Sequence, residues 1–526
     1  MAGRMKTNAT KAEFGDFQTP RDLADAVCSV LLRRALRPGS ILEPTCGKGR
    51  FLLSALDRFP GTAFALGMDI NAEYVSEVRT ALRRRRPSDC SVEVRTGNFF
   101  GASWPEILRT LPDPLLVIGN PPWVTNAALG ALGSDNLPEK SNFQNHAGFD
   151  AMTGKSNFDI SEWMLIRIIE WIRDRDATVA MLCKTAVARK VLTHAWKNNL
   201  AISRADIYLI DALKHFDAAV DACLFVCTSS PEALRSRDCL VHPGLFDDAA
   251  SIVFGYRDHH IVADVAAYER SKHLLGKELY KWRSGIKHDC AAVMELYQEG
   301  EHFRNGLGEL VDVESAYLYP MLKSSEVANG TTSRPVRWML VTQRSIGEDT
   351  ACIAELAPKT WRYLRRHVGS FERRGSSIYD KRPPFSIFGV GDYSFALWKV
   401  AISGFYKTLK FAVVGPHAER PVMLDDTVYF IACDSEQEAE YLASLLNSAP
   451  AHEFLRAHCF LDAKRPVTTE LLRRLDLLAL AREVGSQRLL EEFLRRQLRE
   501  KRTFKRSNRR DGQAELFPKE RVGAAR

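Results

Sequence analysis

Asn120-Pro121-Pro122-Trp123 follows directly on the apolar run Leu115 to Ile118, and those residue types in that order can hold an exocyclic amino group. The Asn side-chain oxygen and a carbonyl of the Pro-Pro segment are two acceptors able to face one NH2 group, and the ring beside them suits the flat heterocycle that bears it. Two prolines stiffen the loop and supply no N–H, so the site stays an acceptor site. Alone, the stretch would read as a proline-stiffened turn after a buried strand. Three further strand ends upstream argue for more.

The first is Ile41-Leu42-Glu43-Pro44-Thr45-Cys46-Gly47-Lys48-Gly49-Arg50-Phe51, an apolar run with a carboxylate at its end and a glycine turn opening a helix, Phe51 to Arg58. Glycines there let the backbone approach a ligand. The turn lacks the third glycine of the dinucleotide fingerprint and the Gly-Lys-Ser/Thr ending of a phosphate loop, which favours a nucleoside-like ligand over a pyrophosphate. The second end, Gly67-Met68-Asp69-Ile70, places Asp69 where a carboxylate can accept from both ribose hydroxyls; the same residue could instead cap a helix. The third, Thr96-Gly97-Asn98-Phe99, offers a polar side chain and a ring to the edge and face of an adenine.

The elements that must carry these residues alternate between residues 15 and 230. Strands are expected at 40–42, 63–68, 92–94, 115–118, 178–182, 207–210 and 222–227, with helices at Asp22 to Leu36 and Phe158 to Arg173. That alternation predicts an α/β fold with a mostly parallel, doubly wound sheet. The stretch from Val124 to Lys155 is rich in Ala, Gly, Asn and Ser and reads as a long functional loop. After residue 240 rings and arginines interleave without regular alternation, which predicts a separate α+β domain. The expected divisions are 1–13 as a disordered arm, 14–240 as the catalytic domain, 241–480 as a target-recognition domain, and 481–526 as a helix with a basic tail.

At 526 residues, 45% hydrophobic and 26% charged, the chain has the composition of a soluble multidomain protein. No apolar run approaches the roughly 18 residues of a membrane span, and no signal peptide opens the chain. Eleven cysteines without metal spacing suit a reducing cytoplasm, and no metal site is expected. The net charge of +8 fits a polyanion partner, with basic clusters at Arg83 to Arg86, Arg362 to His367 and Arg495 to Arg510.

The order Phe17-Gln18-Thr19-Pro20, Glu43-Pro44-x-x-Gly47-x-Gly49-x-Phe51, Asp69, Asn98-Phe99, Asn120-Pro121-Pro122-Trp123 resembles the gamma-class N6-adenine methyltransferases of bacterial restriction-modification systems. The resemblance implies a Rossmann-like domain that uses S-adenosyl-L-methionine. Phe17 and Thr19 would hold its methionine end, Glu43 its amino group above Cys46, Gly47 and Gly49, Asp69 with Ile70 its ribose, and Asn98 with Phe99 its adenine. The family usually has Asp where this chain has Asn98; an amide oxygen can still accept from the adenine amine. The implied reaction is methyl transfer to the N6 amine of an adenine swung out of double-stranded DNA, gripped by Asn120 and Pro121 and stacked on Trp123 and Phe216.

The C-terminal half resembles the target-recognition domains of these enzymes at Trp282 to Lys287, Tyr317 to Lys323 and Leu446 to Ser448. Lys323, Trp398, Lys399, Tyr406 and Lys407 are the expected DNA contacts. The resemblance leaves room for a separate restriction endonuclease or another defence-system protein as partner, and places the chain on the nucleoid of a bacterial cytoplasm. Other readings stay open: an N4-cytosine methyltransferase, an RNA or protein-glutamine methyltransferase with the same loop, and a DNA-binding specificity protein without catalysis.

Overall fold

The computed structural model describes residues 18–85, 89–124 and 159–497. They fall into two compact units that divide between Val265 and Ala266. The expected arm at 1–13, Phe17, nearly all of the Ala/Gly/Asn/Ser-rich stretch and the basic tail lie outside the described residues.

The first unit opens with helix α1 (Arg21–Arg33), whose Leu23, Val27, Val30 and Leu31 are buried while Arg21, Asp22 and Arg33 are exposed. It ends before the expected Leu36 because Ala35 takes a left-handed φ of 57°, letting the Ala35 and Leu36 amides cap the carbonyls of Leu32 and Leu31. There follow β1 (Ser40–Glu43), α2 (Arg50–Arg58), β2 (Phe64–Asp69), α3 (Ala72–Arg83), β3 (Ser91–Thr96), α4 (Trp104–Arg109), β4 (Leu115–Gly119), α5 (Ile160–Ile172), β5 (Ala177–Lys184), α6 (Thr185–Lys197), β6 (Arg204–Ile210), α7 (Ala212–Phe216) and β7 (Ala222–Ser229). Strands β8 (Asp238–His242), β9 (Ile252–Arg257) and β10 (His260–Val262) extend the same sheet past residue 240.

The ten strands lie in the order β10-β9-β8-β6-β7-β5-β4-β1-β2-β3. From β3 to β5 every pair is parallel, and β7 enters antiparallel between β5 and β6. Helices α1, α2, α3 and α7 share one core with Ile41, Ala65, Leu116, Ile118 and Leu182, residues that alternate along their strands. Helices α5 and α6 contribute nothing to that core and pack on each other and on β5, so the sheet is wound on both faces. This is the Rossmann-like α/β architecture. The strand order reverses beside β1, where chain departs toward β2 on one side and β4 on the other; ligands of open α/β sheets bind at the carboxyl ends of such strands. Away from that edge, fully buried Asp206 meets Arg34 at 2.7 Å, Arg204 at 2.9 Å and His242 at 3.1 Å, tying α1 to the antiparallel half. Burial pushes its carboxyl up, and the Arg204 and Arg34 guanidiniums together with the His242 hydrogen bond outweigh the effect, holding it below the ordinary range.

The second unit is α+β. One sheet runs β11 (Arg283–Ser284), β20 (Val428–Cys433), β17 (Trp398–Ser403), β18 (Ala412–Val414); the other runs β14 (Leu310–Val311), β13 (His302–Asn305), β12 (Glu295–Glu299), β16 (Arg337–Leu340), β15 (Leu318–Leu322), β19 (Met423–Leu424). Helices Glu436–Leu446 and Ala449–His458 pack with β17 and β20 in a common core. No helix among the described residues is long and apolar enough to cross a membrane.

Two of the expected DNA contacts need correction. Lys399 is only 1% exposed, and its ammonium donates inward to the carbonyls of Ala396 and Val422. Both faces of β17 are covered from Lys399 onward, which a composition of rings and cations does not reveal. Lys323 is committed to Glu295, 2.6 Å away and buried. Trp398 is half-buried, with its ring against Gly415, while Tyr406 and Lys407 are exposed on the connection between β17 and β18.

Burial pushes the Lys399 ammonium down to about 7. The unfolded chain keeps that proton up to the ordinary lysine range near 10.4, so between those values the unfolded state binds more protons and stability rises with pH. In urea denaturation of the full chain between pH 7 and 9, the native protein should gain up to about 1.4 kcal/mol per pH unit from this group. Lys399→Met should remove that gain and be the more stable form at pH 7; parallel pH profiles for the two proteins would contradict it.

Candidate active site

The turn after β1 is built on two glycines. Gly47 and Gly49 have φ of 49° and 68°, and a Cβ on Gly49 would come within 2.8 Å of Val78, so backbone and α3 approach as closely as they do only with hydrogen at that position. The Gly49 amide closes the turn on Cys46 O at 2.7 Å, and Cys46 N–H donates to Met68 O at 2.7 Å, fastening the turn to the end of β2. Gln18 closes the other side, accepting from the Lys48 amide at 3.3 Å.

Glu43 is 2% exposed and receives the Leu52 N–H at 2.8 Å, near the start of α2. Burial raises its carboxyl well above the usual range, Asp69 adds to the rise, and the Leu52 N–H opposes it. Asp69 accepts from Gly47 N–H at 2.7 Å and from Asn71 N–H at 2.8 Å. The helix cap is not Asp69 but Asn71, whose side chain accepts from Glu73 N–H. Asn98 Oδ1 accepts from the Phe100 amide at 2.9 Å, which fixes the amide orientation: the oxygen lies on the backbone and the second lone pair is what it retains for a ligand. Phe99 is buried in a group of rings with Trp104 at 5.1 Å and Trp171 at 5.5 Å.

Most of these groups line one open cavity at the switch point. Thr19, Glu43, Cys46, Gly47, Asp69, Ile70, Asn98, Phe99, Asn120 and Pro122 all stand at its wall. Tyr74, Phe100 and Met164 line it as well, and sequence reasoning missed them. Tyr74 and Phe100 follow closely on the ends of β2 and β3, a spacing that could have found them, whereas Met164 stands on α5, distant in sequence from any strand end. Thr45 also reaches the wall, and its buried hydroxyl has no hydrogen-bond partner among the described residues. A buried orphan hydroxyl between two carboxylates suits a polar ligand that supplies the missing partner.

Asn120 Nδ2 donates to Thr19 Oγ1 at 3.3 Å, which settles which end of that amide is the acceptor. Trp123 does not line the cavity: at 5% exposure its ring belongs to the first core, its Nε1–H donates to Leu182 O at 3.4 Å, and Phe216 meets it edge-on with centroids 5.1 Å apart. The sequence-predicted pair Trp123 and Phe216 is thus brought together, beside Asn120 in the chain.

Lys184, at the end of β5, was not foreseen. Its Nζ donates to Trp123 O at 3.3 Å and to Asp159 Oδ2 at 2.6 Å, while Asp159 caps α5 through the Ser161 amide and Ile160 N–H donates to Val124 O at 2.8 Å. The two ends of segment 124–159 are therefore pinned to each other next to the Asn-Pro-Pro-Trp turn. A lone cation ending a buried strand was the available signal.

The Type II methyltransferase M.NspV of a Nostoc species is 44% identical over 479 residues, covering 90% of this chain and 98% of that protein. No family model matches the chain. Among solved structures, the Type IIL restriction-modification enzyme MmeI, in complex with DNA, matches with a TM-score of 0.53 at 14% identity, over 90% of this chain and 67% of that one; what the two share is the fold.

Replacing Lys184 with Met should release the pin. Exchange of the Ile160 amide hydrogen should quicken by about tenfold or more, with the Ala180 amide in β5 unaffected. Unchanged exchange at Ile160 would show that the segment is held without the ammonium.

Proposed function

This chain belongs to the Type II methyltransferases of restriction-modification systems, and we propose that it methylates the N6 amine of an adenine extruded from double-stranded DNA. The observation that carries this reading is the shared cavity: Asn120 and Pro122 stand at the same wall as Glu43, Asp69 and Asn98. An acceptor clamp for an aromatic amine and a pocket shaped for a nucleoside are thereby one space.

S-adenosyl-L-methionine is the methyl donor and supplies an electrophilic sulfonium methyl group when bound. The residues fit it: two carboxylates favour its cationic end, the orphan Thr45 hydroxyl calls for a polar partner, and the glycine turn admits close approach. In this reading Glu43 holds the amino group, Asp69 beside Ile70 the ribose, and Asn98 with Phe99 the adenine. Cys46 and Gly47 form the floor over the Gly49 turn, and Thr19 flanks the methionine end.

The target nitrogen is a poor nucleophile because its lone pair is delocalised into the ring. Asn120 Oδ1 and the Pro121 carbonyl would accept its two hydrogens, favouring a more tetrahedral nitrogen and fixing it in line for attack. Pro122 keeps the loop stiff. Trp123, expected to stack on the base, is instead packed in the first core with Phe216 set edge-on to it, so the two rings back the loop from behind and the stacking surface falls to rings at the cavity wall. No side chain forms a covalent bond to the base. In the second unit exposed Tyr406 and Lys407 remain for backbone contacts to DNA.

Asn120→Ala should lower kcat on the order of a hundredfold, the scale of losing one pre-placed hydrogen-bond partner, while DNA affinity survives. Labelled-methyl transfer to unmodified bacterial DNA, followed by identification of the modified nucleoside, tests both parts: N4-methylcytosine in place of N6-methyladenine would overturn the base assignment, and near-normal turnover by the variant would overturn the clamp.

A second outcome follows from the raised Glu43 carboxyl. Binding a cation favours its ionised form, so cofactor binding should release a proton and tighten as pH rises through the titration of Glu43. Calorimetry in buffers of different ionisation enthalpy should register that release, and Glu43→Gln should abolish it; proton uptake by the native protein would contradict the role given to Glu43.

A further inference from the structure

Among the described arginines of the second unit that lie over an aromatic ring, three differ in having no other partner for the guanidinium. Arg337 pairs with Glu326, Arg420 donates to the carbonyls of Ser315 and Leu318, and Arg374 donates to the carbonyls of Ser386 and Phe371. Arg283, Arg344 and Arg382 have neither a carboxylate nor a side-chain hydrogen-bond acceptor among the described residues. Each lies over a ring: Arg283 over Tyr393 at 4.3 Å, Arg344 over Phe395 at 4.1 Å and Arg382 over Phe388 at 5.7 Å; Arg337, Arg374 and Arg420 lie over rings as well, but their donors are already engaged.

The three rings stand on one short segment, residues 388–395. It is fastened beside the strand of Arg283, because Lys287 and Phe388 pair as an antiparallel bridge and a Cβ on Gly389 would lie 2.3 Å from the Gly285 carbonyl oxygen. The turn that follows Arg344 reaches the same place: Arg382 Nη1 is 3.8 Å from where a Cβ on Gly347 would sit. That turn is ordered by Glu348, whose carboxylate accepts from the amides of Arg344 and Ser345.

A guanidinium stacked on a ring keeps its plane fixed and its edge donors available. Three such groups, borne by rings of one segment, gather positive charge that no carboxylate among the described residues pairs with, and this suits an acceptor-rich partner. Phosphate would need only charge, which lysine gives. A planar fork held by stacking matches the paired O6 and N7 acceptors of guanine in the major groove. The nearby amide that could have read adenine is unavailable, since Gln343 is buried with its Nε2 on Glu348 O and its Oε1 on the Ile387 amide.

We propose that Arg283, Arg344 and Arg382 form the base-reading ridge of the second unit, each offering its fork to a guanine edge, so that the recognition sequence contains G·C pairs read at this ridge. The inference rests on the reading of duplex DNA as substrate, and it moves recognition from the β17 face that the sequence suggested to the segment preceding it.

The test uses the full chain. Native protein, the lysine variants Arg283→Lys, Arg344→Lys and Arg382→Lys, and the three alanine counterparts methylate unmodified bacterial genomic DNA, and long-read sequencing maps every methylated site. The native motif should contain guanine. Each lysine variant keeps the charge and loses the fork, so discrimination at one G·C position should fall by roughly tenfold or more, with the rest of the motif intact. Unaltered motifs in the lysine variants, with the alanine variants losing only salt-dependent affinity, would mean phosphate contacts and overturn the proposal; so would unaltered motifs and affinity throughout, or a native motif without guanine. Because lysine preserves charge and bulk at these positions, a folding defect in an alanine variant leaves the lysine arm decisive. Absence of methylation of duplex DNA by the native protein would instead overturn the proposed function and, with it, this inference.

Discussion

Strand β1 is hydrogen-bonded in parallel to β2 on one side and to β4 on the other, with Leu42 opposite both Leu66 and Val117. That double pairing brings Glu43, Asp69 and Asn120, which are far apart in sequence, to one edge of the sheet. A one-residue slip of β4 would turn Leu116 and Ile118 out of their core and carry the Asn-Pro-Pro turn away from the cavity. The burial that fixes the register and the geometry that assembles the site are therefore the same constraint.

Around that edge the electrostatics are arranged for a cation that arrives from outside. Glu43 and Asp69 share the cavity wall, and among the hydrogen bonds that hold them the donors are backbone amides: Leu52 for Glu43, Gly47 and Asn71 for Asp69. Amides orient a carboxylate without neutralising it; burial raises the Glu43 carboxyl, and the neighbouring Asp69 adds to the rise. Asp206 shows the opposite arrangement, where Arg34, Arg204 and His242 surround a buried carboxylate and depress it. Asp206 is committed to the fold, whereas the function proposed above gives the pair at the sheet edge to a ligand.

The first unit was legible in the sequence because most of its strands up to β7 carry an apolar run, and the runs of β1, β2 and β4 lead directly into polar residues, both of which are local features. The strands from β1 to β7 lie where the alternation put them, extended by a residue or a few at their ends. The end of α1 was misplaced because a non-glycine residue, Ala35, adopts the left-handed cap, and no residue type announces that. Strands β8 to β10 join the first sheet through pairing of β8 with β6, a contact between distant segments that local pattern does not encode. The Lys184 pin was hidden for a similar reason: its partners, Trp123 O and Asp159, are a backbone atom and a cap, neither visible as a motif.

The second unit shows where composition misleads. Residues 393–410 mix rings and cations, and from sequence the mixture looks like one face. In the structure it is divided by the strand: from Lys399 to Ser403 every residue of β17 is buried, whereas Tyr406 and Lys407 emerge beyond its end. Lys399 can point inward because two backbone carbonyls receive its Nζ and its charge is easily given up on burial. An arginine at that position could not shed its proton, and its burial would demand an anion. The converse holds at the ridge, where lysine would supply charge but not a plane that stacking on Tyr393, Phe395 and Phe388 can orient. Which cation stands where is thus decided by whether the protein needs a proton that can leave or a fork that can be aimed, and only the folded arrangement of neighbours reveals which.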